Sequence, residues 1–128
     1  MPTRPSLALC AILLLAMPAL AAECPVKRSG DAISTALEKA ATCEAALKLF
    51  KDCAYVASID AMFGGIVTTR CEADFLSKLS AAQRKSYDRE KNACTRKYTN
   101  KEGTMYRSFE AMCYSELAAR YSKSFAGK

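Results

Sequence analysis

Apolar side chains recur along this chain at helical spacing. Between residues 31 and 57 they follow one another at steps of three and four, which predicts one amphipathic helix, or two short helices if the chain breaks at Thr42. Residues 58–79 continue the pattern. The preceding residues 23–30 contain a proline and a glycine, so we expect an irregular lead-in there.

The last third of the chain carries the clearest pattern, which predicts a helical hairpin over residues 80–125. Its first helix opens with the spacing of a capping box, in which the Ser80 and Gln83 side chains bond to backbone N–H groups. A polar turn at 99–104 leads to a second helix with an apolar stripe. β-Branched residues cluster only at 66–69, which is too short for a sheet. We therefore expect an all-α, disulfide-stapled bundle of three to five helices.

Two adjacent glycines, Gly64 and Gly65, interrupt the helical pattern of residues 58–79. Two glycines inside a helix cost about 1–2 kcal/mol relative to alanine. A structural reason is the favoured interpretation, either a kink or the close approach of another backbone. Contact with a ligand is the alternative.

The first 21 residues have the pattern of a signal peptide. Arg4 supplies a positive charge, an apolar run extends from Leu7 to Met17, and an A-x-A cleavage site ends at Ala21, with cleavage after Ala22 as the alternative. The run is shorter than the ~20 residues that a membrane-spanning helix needs. We expect a periplasmic or secreted protein with one domain over residues 22–128 and no stable membrane insertion.

Six cysteines remain once the leader and its Cys10 are removed. An even number in a short exported chain is typical of a disulfide framework. The chain has no histidine and no C-x-x-C pair, so we expect no metal site. Cys94–Cys113 is the first choice of pairing because the hairpin helices are antiparallel neighbours, and Cys71–Cys94 is its rival. The six are Cys24, Cys43, Cys53, Cys71, Cys94 and Cys113.

Basic residues outnumber acidic ones by 19 to 13, and the formal net charge is +6. They are densest on the first hairpin helix, where they can bind an anionic envelope polymer. An ordinary solvated helix face is the favoured alternative. Export, and the lack of a base-stacking aromatic motif among the charges, argue against a nucleic-acid partner. The candidate anion-binding face consists of Arg84, Lys85, Arg89, Arg96, Lys97 and Lys101.

The residue types exclude the commonest catalytic arrangements. Without histidine there is no Ser–His–Asp or Cys–His site, and the cysteines are expected to be oxidised. The carboxylate pairs Glu72–Asp74 and Asp88–Glu90 are two residues apart, so on a helix their members point to different faces. We therefore expect no enzyme and no cofactor, but a protein that acts by contact.

The hairpin also carries a motif of nine residues: Gln83, Tyr87, Arg89, Cys94, Gly103, Thr104, Cys113, Leu117 and Arg120. This order resembles the bacterial LprI-like lysozyme-inhibitor domain family, in which a Q-R-x-W-x-x-x-R stretch, a cysteine, a Gly-Ser or Gly-Thr turn and a second cysteine follow one another. Upstream, Asp60, Phe63 and Val67 are similar to the family's D-x-x-L-N-x-x-Y segment. The family's tryptophan is replaced by Ser86, with Tyr87 beside it.

The resemblance implies a small exported helical protein that binds and inhibits lysozyme. Many lysozymes are strongly cationic, so the basic hairpin would repel such a partner. Contact is then expected through acidic residues before the hairpin: Glu38, Glu44, Asp52 and Asp60. The alternative function is an envelope structural or polyanion-binding module that uses the basic face within residues 84–101.

Overall fold

The computed structural model describes residues 22–126, in which five α-helices and no strands occur. They are α1 (Gly30–Glu38), α2 (Cys43–Cys53), α3 (Asp60–Glu72), α4 (Ala81–Tyr98) and α5 (Thr104–Phe125), with a 3-10 turn at Leu76–Lys78. The expected all-α bundle is confirmed. The predicted signal peptide, residues 1–21, lies outside the described residues. Within residues 22–126, no helix combines the length and hydropathy that crossing a membrane requires.

Side-chain caps set the beginnings of three helices. The Ser29 hydroxyl accepts a hydrogen bond from a backbone N–H of α1 at 3.3 Å, and the Thr42 hydroxyl accepts one from α2 at 3.1 Å. The alternative of two short helices before residue 57 is therefore the correct one. The predicted capping box is confirmed, because the Ser80 N–H donates to Gln83 at 2.8 Å and the Gln83 N–H donates to Ser80 at 3.2 Å.

Helix α3 lies at the centre and packs against α1, α2 and α5. It runs parallel to α5, since contacts advance together along both helices. The contacts that show this direction are Asp60–Ser108, Thr68–Ser115 and Asp74–Ser122. The core around α3 is built from buried apolar side chains of all five helices and the 3-10 region, chiefly Ile33, Leu37, Phe50, Phe63, Val67, Phe75, Tyr87 and Leu117.

The two glycines of α3 differ in their surroundings. A Cβ atom on Gly64 would lie 2.7 Å from the Cβ of Ala111 and 3.0 Å from the Ala111 carbonyl oxygen. Gly64 therefore allows α3 and α5 to approach closely, which confirms the structural interpretation at this position. A Cβ atom on Gly65 would meet nothing within 4 Å, and no packing contact explains that glycine.

Three disulfides cross-link the helices. Cys94–Cys113 joins the antiparallel α4 and α5 and confirms the first choice of pairing. The rival pairing Cys71–Cys94 is wrong, because Cys71, near the end of α3, lies against the first residue of α2. The lead-in is attached to the end of α2 through Cys24. The pairs are Cys24–Cys53, Cys43–Cys71 and Cys94–Cys113. Disulfides of this kind are typical of proteins outside the reducing cytosol.

Candidate functional site

The segment between α2 and α3, residues 54–59, is an unusually constrained loop, called here the tip loop. Within it, Val56 has a φ of 57°, and no other non-glycine residue between 22 and 126 has a positive φ. A left-handed backbone is unfavourable for a β-branched residue and costs about 1–3 kcal/mol. The surrounding structure must therefore stabilise this conformation.

The stabilising group is the carboxylate of Asp60, which is completely buried. Its oxygens accept hydrogen bonds from the backbone N–H groups of Tyr55, Val56 and Ala57 at 3.0, 2.8 and 3.4 Å. The Ser108 hydroxyl on α5 donates a fourth at 2.6 Å. A buried carboxylate requires such partners to offset its desolvation, so these contacts hold both the carboxylate and the tip loop in place.

Tyr55 of the tip loop contacts two side chains from other parts of the chain. The Tyr55 ring lies 6.2 Å from the buried Phe63 ring, measured between centroids. The guanidinium carbon of Arg28 lies 5.0 Å from the Tyr55 ring centroid. Arg28 also donates to the carbonyl oxygen of Ala54 at 2.9 Å. The lead-in is thereby joined to the tip loop.

Four large apolar side chains at and beside this loop are exposed to solvent. The exposed fractions are 37% for Tyr55, 49% for Val56, 36% for Ile59 and 50% for Met62. Single exposed apolar residues are common, but four within eight positions, three on the tip loop and Met62 in the first turn of α3, are typical of an interaction site. These four residues and Arg28 are called the tip surface below.

The acidic residues expected to contact lysozyme do not form one surface. Asp60 is buried beneath the tip loop, so its prediction as a surface contact is wrong. Asp52 forms an ion pair with Lys48 at 2.6 Å, and its side chain is only 13% exposed. Glu38 and Glu44 are exposed.

The predicted basic face divides into separate groups. Three basic residues of α4 share one side of the helix, opposite its buried side: Lys85, Arg89 and Arg96. At 100° per residue they lie within about 40° of one another around the helix axis. None of them forms an ion pair within residues 22–126. These three are called the basic stripe. Arg84 lies to one side and pairs with Asp88 at 3.5 Å. At the turn end, Lys97 and Lys101 lie over the rings of Tyr98 and Tyr106 at 5.4 and 5.7 Å.

Several motif residues build the hairpin. Gln83 belongs to the capping box, and Leu117 is buried in the core. Tyr87 is buried with its ring 5.1 Å from that of Phe75, and its hydroxyl donates to Glu72 at 2.8 Å. Burial, together with Glu72, raises the pKa of Tyr87 well above its ordinary value.

The remaining motif residues lie at the turn and on the surface. Gly103 has a φ of 108°, a conformation that favours glycine, and α5 begins at the exposed Thr104. Arg120 pairs with Glu90 across the hairpin at 3.1 Å. Arg89 is exposed on the basic stripe. The motif therefore accounts for the shape of the hairpin more than for a binding site.

The described residues contain surface grooves but no cluster of metal-ligating side chains. Between residues 22 and 126, no group of three or more histidine, cysteine or acidic residues could hold a metal ion.

An open groove of about 650 Å³ lies between α2 and α5, with Leu47 and Asp74 among its lining residues. The Ser122 hydroxyl, which donates to Asp74 at 2.6 Å, lowers the pKa of that carboxyl group.

Comparison of the chain with protein-family models, curated proteins and solved structures finds no match. The resemblance to the LprI-like family therefore stays a prediction. Of the surfaces described above, the tip surface has the most defined geometry. Sequence reasoning missed it, although the adjacent apolar residues of 55–59 and the following aspartate were visible signals.

Proposed function

We propose that this chain is an exported, periplasmic or secreted binding protein of the bacterial envelope that acts by contact, as a lysozyme inhibitor. The observation that carries the proposal is the tip loop, which carries exposed apolar side chains on a backbone held in one conformation by the buried Asp60. A loop fixed before binding loses little conformational entropy when it enters a cleft. Such loops suit inhibition by occupation of an enzyme's active site.

The tip surface also allows contact with a cationic partner. Burying the exposed part of each of these half-buried side chains contributes about 1 kcal/mol, whatever the sign of the partner's net charge. The exposed basic stripe lies on α4, which is not one of the elements that form the tip surface. At physiological ionic strength, repulsion between exposed charges is screened beyond about 8 Å.

The test is the rate at which lysozyme clears a peptidoglycan suspension with and without purified residues 22–128. We expect slowing at micromolar concentrations of the wild-type protein. Met62→Asp should abolish the slowing, whereas the control Ala82→Asp, which adds the same charge at an exposed residue in the first turn of α4, should retain it. No slowing by the wild-type protein would contradict the proposal.

The second candidate function is binding of an anionic envelope polymer. It is favoured by the basic stripe, whose three cations have no ion-pair partner between residues 22 and 126. Such binding should weaken steeply as salt rises, since it depends on exposed charges. Arg89→Glu with Arg96→Glu should remove it, whereas the control Lys39→Glu with Lys78→Glu, which changes the net charge equally, should not. Equal losses in both double variants would indicate attraction to net charge alone.

A further inference from the structure

Arg28 combines a place on the tip surface with donors that no carboxylate occupies. Of the seven arginines between residues 22 and 126, four form an ion pair, namely Arg70, Arg84, Arg107 and Arg120, and two others without one, Arg89 and Arg96, lie on α4. Arg28 is exposed and forms none within residues 22–126; its hydrogen bond runs from Nη2 to the carbonyl oxygen of Ala54. A guanidinium group carries five N–H donors, so Nε and Nη1 remain able to bind a carboxylate.

The position of this guanidinium group is fixed before any partner binds. The group contacts the Tyr55 ring, and the Tyr55 ring in turn contacts the buried Phe63 ring. The Cys24–Cys53 disulfide joins the lead-in to the residue directly before the tip loop. Because an arginine held in this way loses less freedom on binding, its remaining donors are well placed for bidentate recognition.

The tip surface thus combines a partly free guanidinium group with an aromatic ring and exposed aliphatic side chains. A cleft complementary to it would contain a carboxylate beside apolar walls. Glycoside hydrolases provide this chemistry, since most of them hold a pair of carboxylates in the sugar-binding cleft. A carboxylate there would attract the nearby cation locally, even in an enzyme whose net charge is positive.

We propose that Arg28 is the specificity-determining residue of the tip surface and that it binds a catalytic-site carboxylate of the inhibited glycoside hydrolase. The proposal rests on the proposed inhibitory function and names the group that the inhibitor recognises. Tyr55 positions the guanidinium group, and Val56 fills the apolar part of the same cleft. Bound in this way, the protein occupies the place of the glycan substrate.

The test is calorimetric titration of lysozyme with four forms of residues 22–128: wild type, Arg28→Gln, Arg28→Lys and the control Lys27→Gln. A charge-assisted bidentate pair is worth about 1.5–3 kcal/mol, so Arg28→Gln should weaken binding about 10- to 100-fold. Arg28→Lys keeps the charge but loses the planar fork, so its affinity for lysozyme should lie between those of wild type and Arg28→Gln. Lys27→Gln removes the neighbouring exposed charge and should change the affinity less than about threefold.

Two further measurements identify the partner group. Lysozyme whose catalytic glutamate is replaced by glutamine should bind wild type and Arg28→Gln with nearly equal affinity, and tri-N-acetylglucosamine should compete with the wild-type protein. If wild type binds lysozyme but Arg28→Gln behaves like Lys27→Gln, or the sugar does not compete, the role of Arg28 is overturned while inhibition by contact stands. If wild type does not bind at all, both proposals are overturned.

Discussion

Replacement of Gly64 by alanine tests the packing of α3 on α5 directly. The new methyl carbon would lie 2.7 Å from the Ala111 Cβ and 3.0 Å from the Ala111 carbonyl oxygen, both well inside normal van der Waals contact. Because one neighbour is backbone, relief requires that the two helices separate. Overpacking of this kind costs about 1–3 kcal/mol, and the higher helix propensity of alanine returns about 1 kcal/mol.

The same substitution at Gly65 provides the control, because a Cβ atom there would meet nothing within 4 Å. Gly65→Ala should therefore raise the free energy of unfolding by about 0.5–1 kcal/mol. Gly64→Ala should lower it by about 0–2 kcal/mol once both effects are combined, and should therefore be less stable than Gly65→Ala by about 1–3 kcal/mol. The measurement is urea denaturation of residues 22–128 with the disulfides intact. Gly64→Ala as stable as Gly65→Ala would refute the close approach of the two helices.

Three other substitutions test the tip loop and the titrating groups. Asp60→Asn places an amide N–H₂ among backbone donors, so it should lower the free energy of unfolding by about 2–4 kcal/mol in urea; a loss below about 0.5 kcal/mol would contradict the role of the carboxylate. The pKa of Tyr87 is raised above 10.0, so its contribution is present below that pH and lost as pH rises further; Tyr87→Phe should reduce the alkaline loss of stability seen in urea titrations. The pKa of Asp74 is lowered below 3.8, chiefly by Ser122, so its contribution is present above that pH and lost below it. Asp74→Asn should flatten the stability profile between about pH 5 and pH 3, and an unchanged profile would argue against that cause.

Much of the fold could be predicted because its signals are local. The capping box at Ser80, the helical spacing of apolar residues and the hairpin turn all depend on residues close in sequence. The Cys94–Cys113 pair follows from the same hairpin. The Cys43–Cys71 pair does not, since it depends on how α2 meets the end of α3.

The tip surface could not be predicted because its contacts are distant in sequence. Asp60 is fixed by Ser108, which lies 48 residues later, and Arg28 reaches Ala54 across 26 residues. The left-handed Val56 also contradicts the local preference of a β-branched residue. The density of basic residues predicted a binding face over residues 84–101 instead. Helix geometry places only the basic stripe of that face on one side of α4.

Every proposal depends on one claim, that the chain is exported and held by three disulfides as a rigid helical body that acts by contact. Peptide mapping of unreduced protein isolated from the producing cells tests this claim most directly. We predict an amino terminus at Ala22 or Glu23 and the pairs Cys24–Cys53, Cys43–Cys71 and Cys94–Cys113. Free thiols at these cysteines, on a chain that retains residues 1–21, would contradict it.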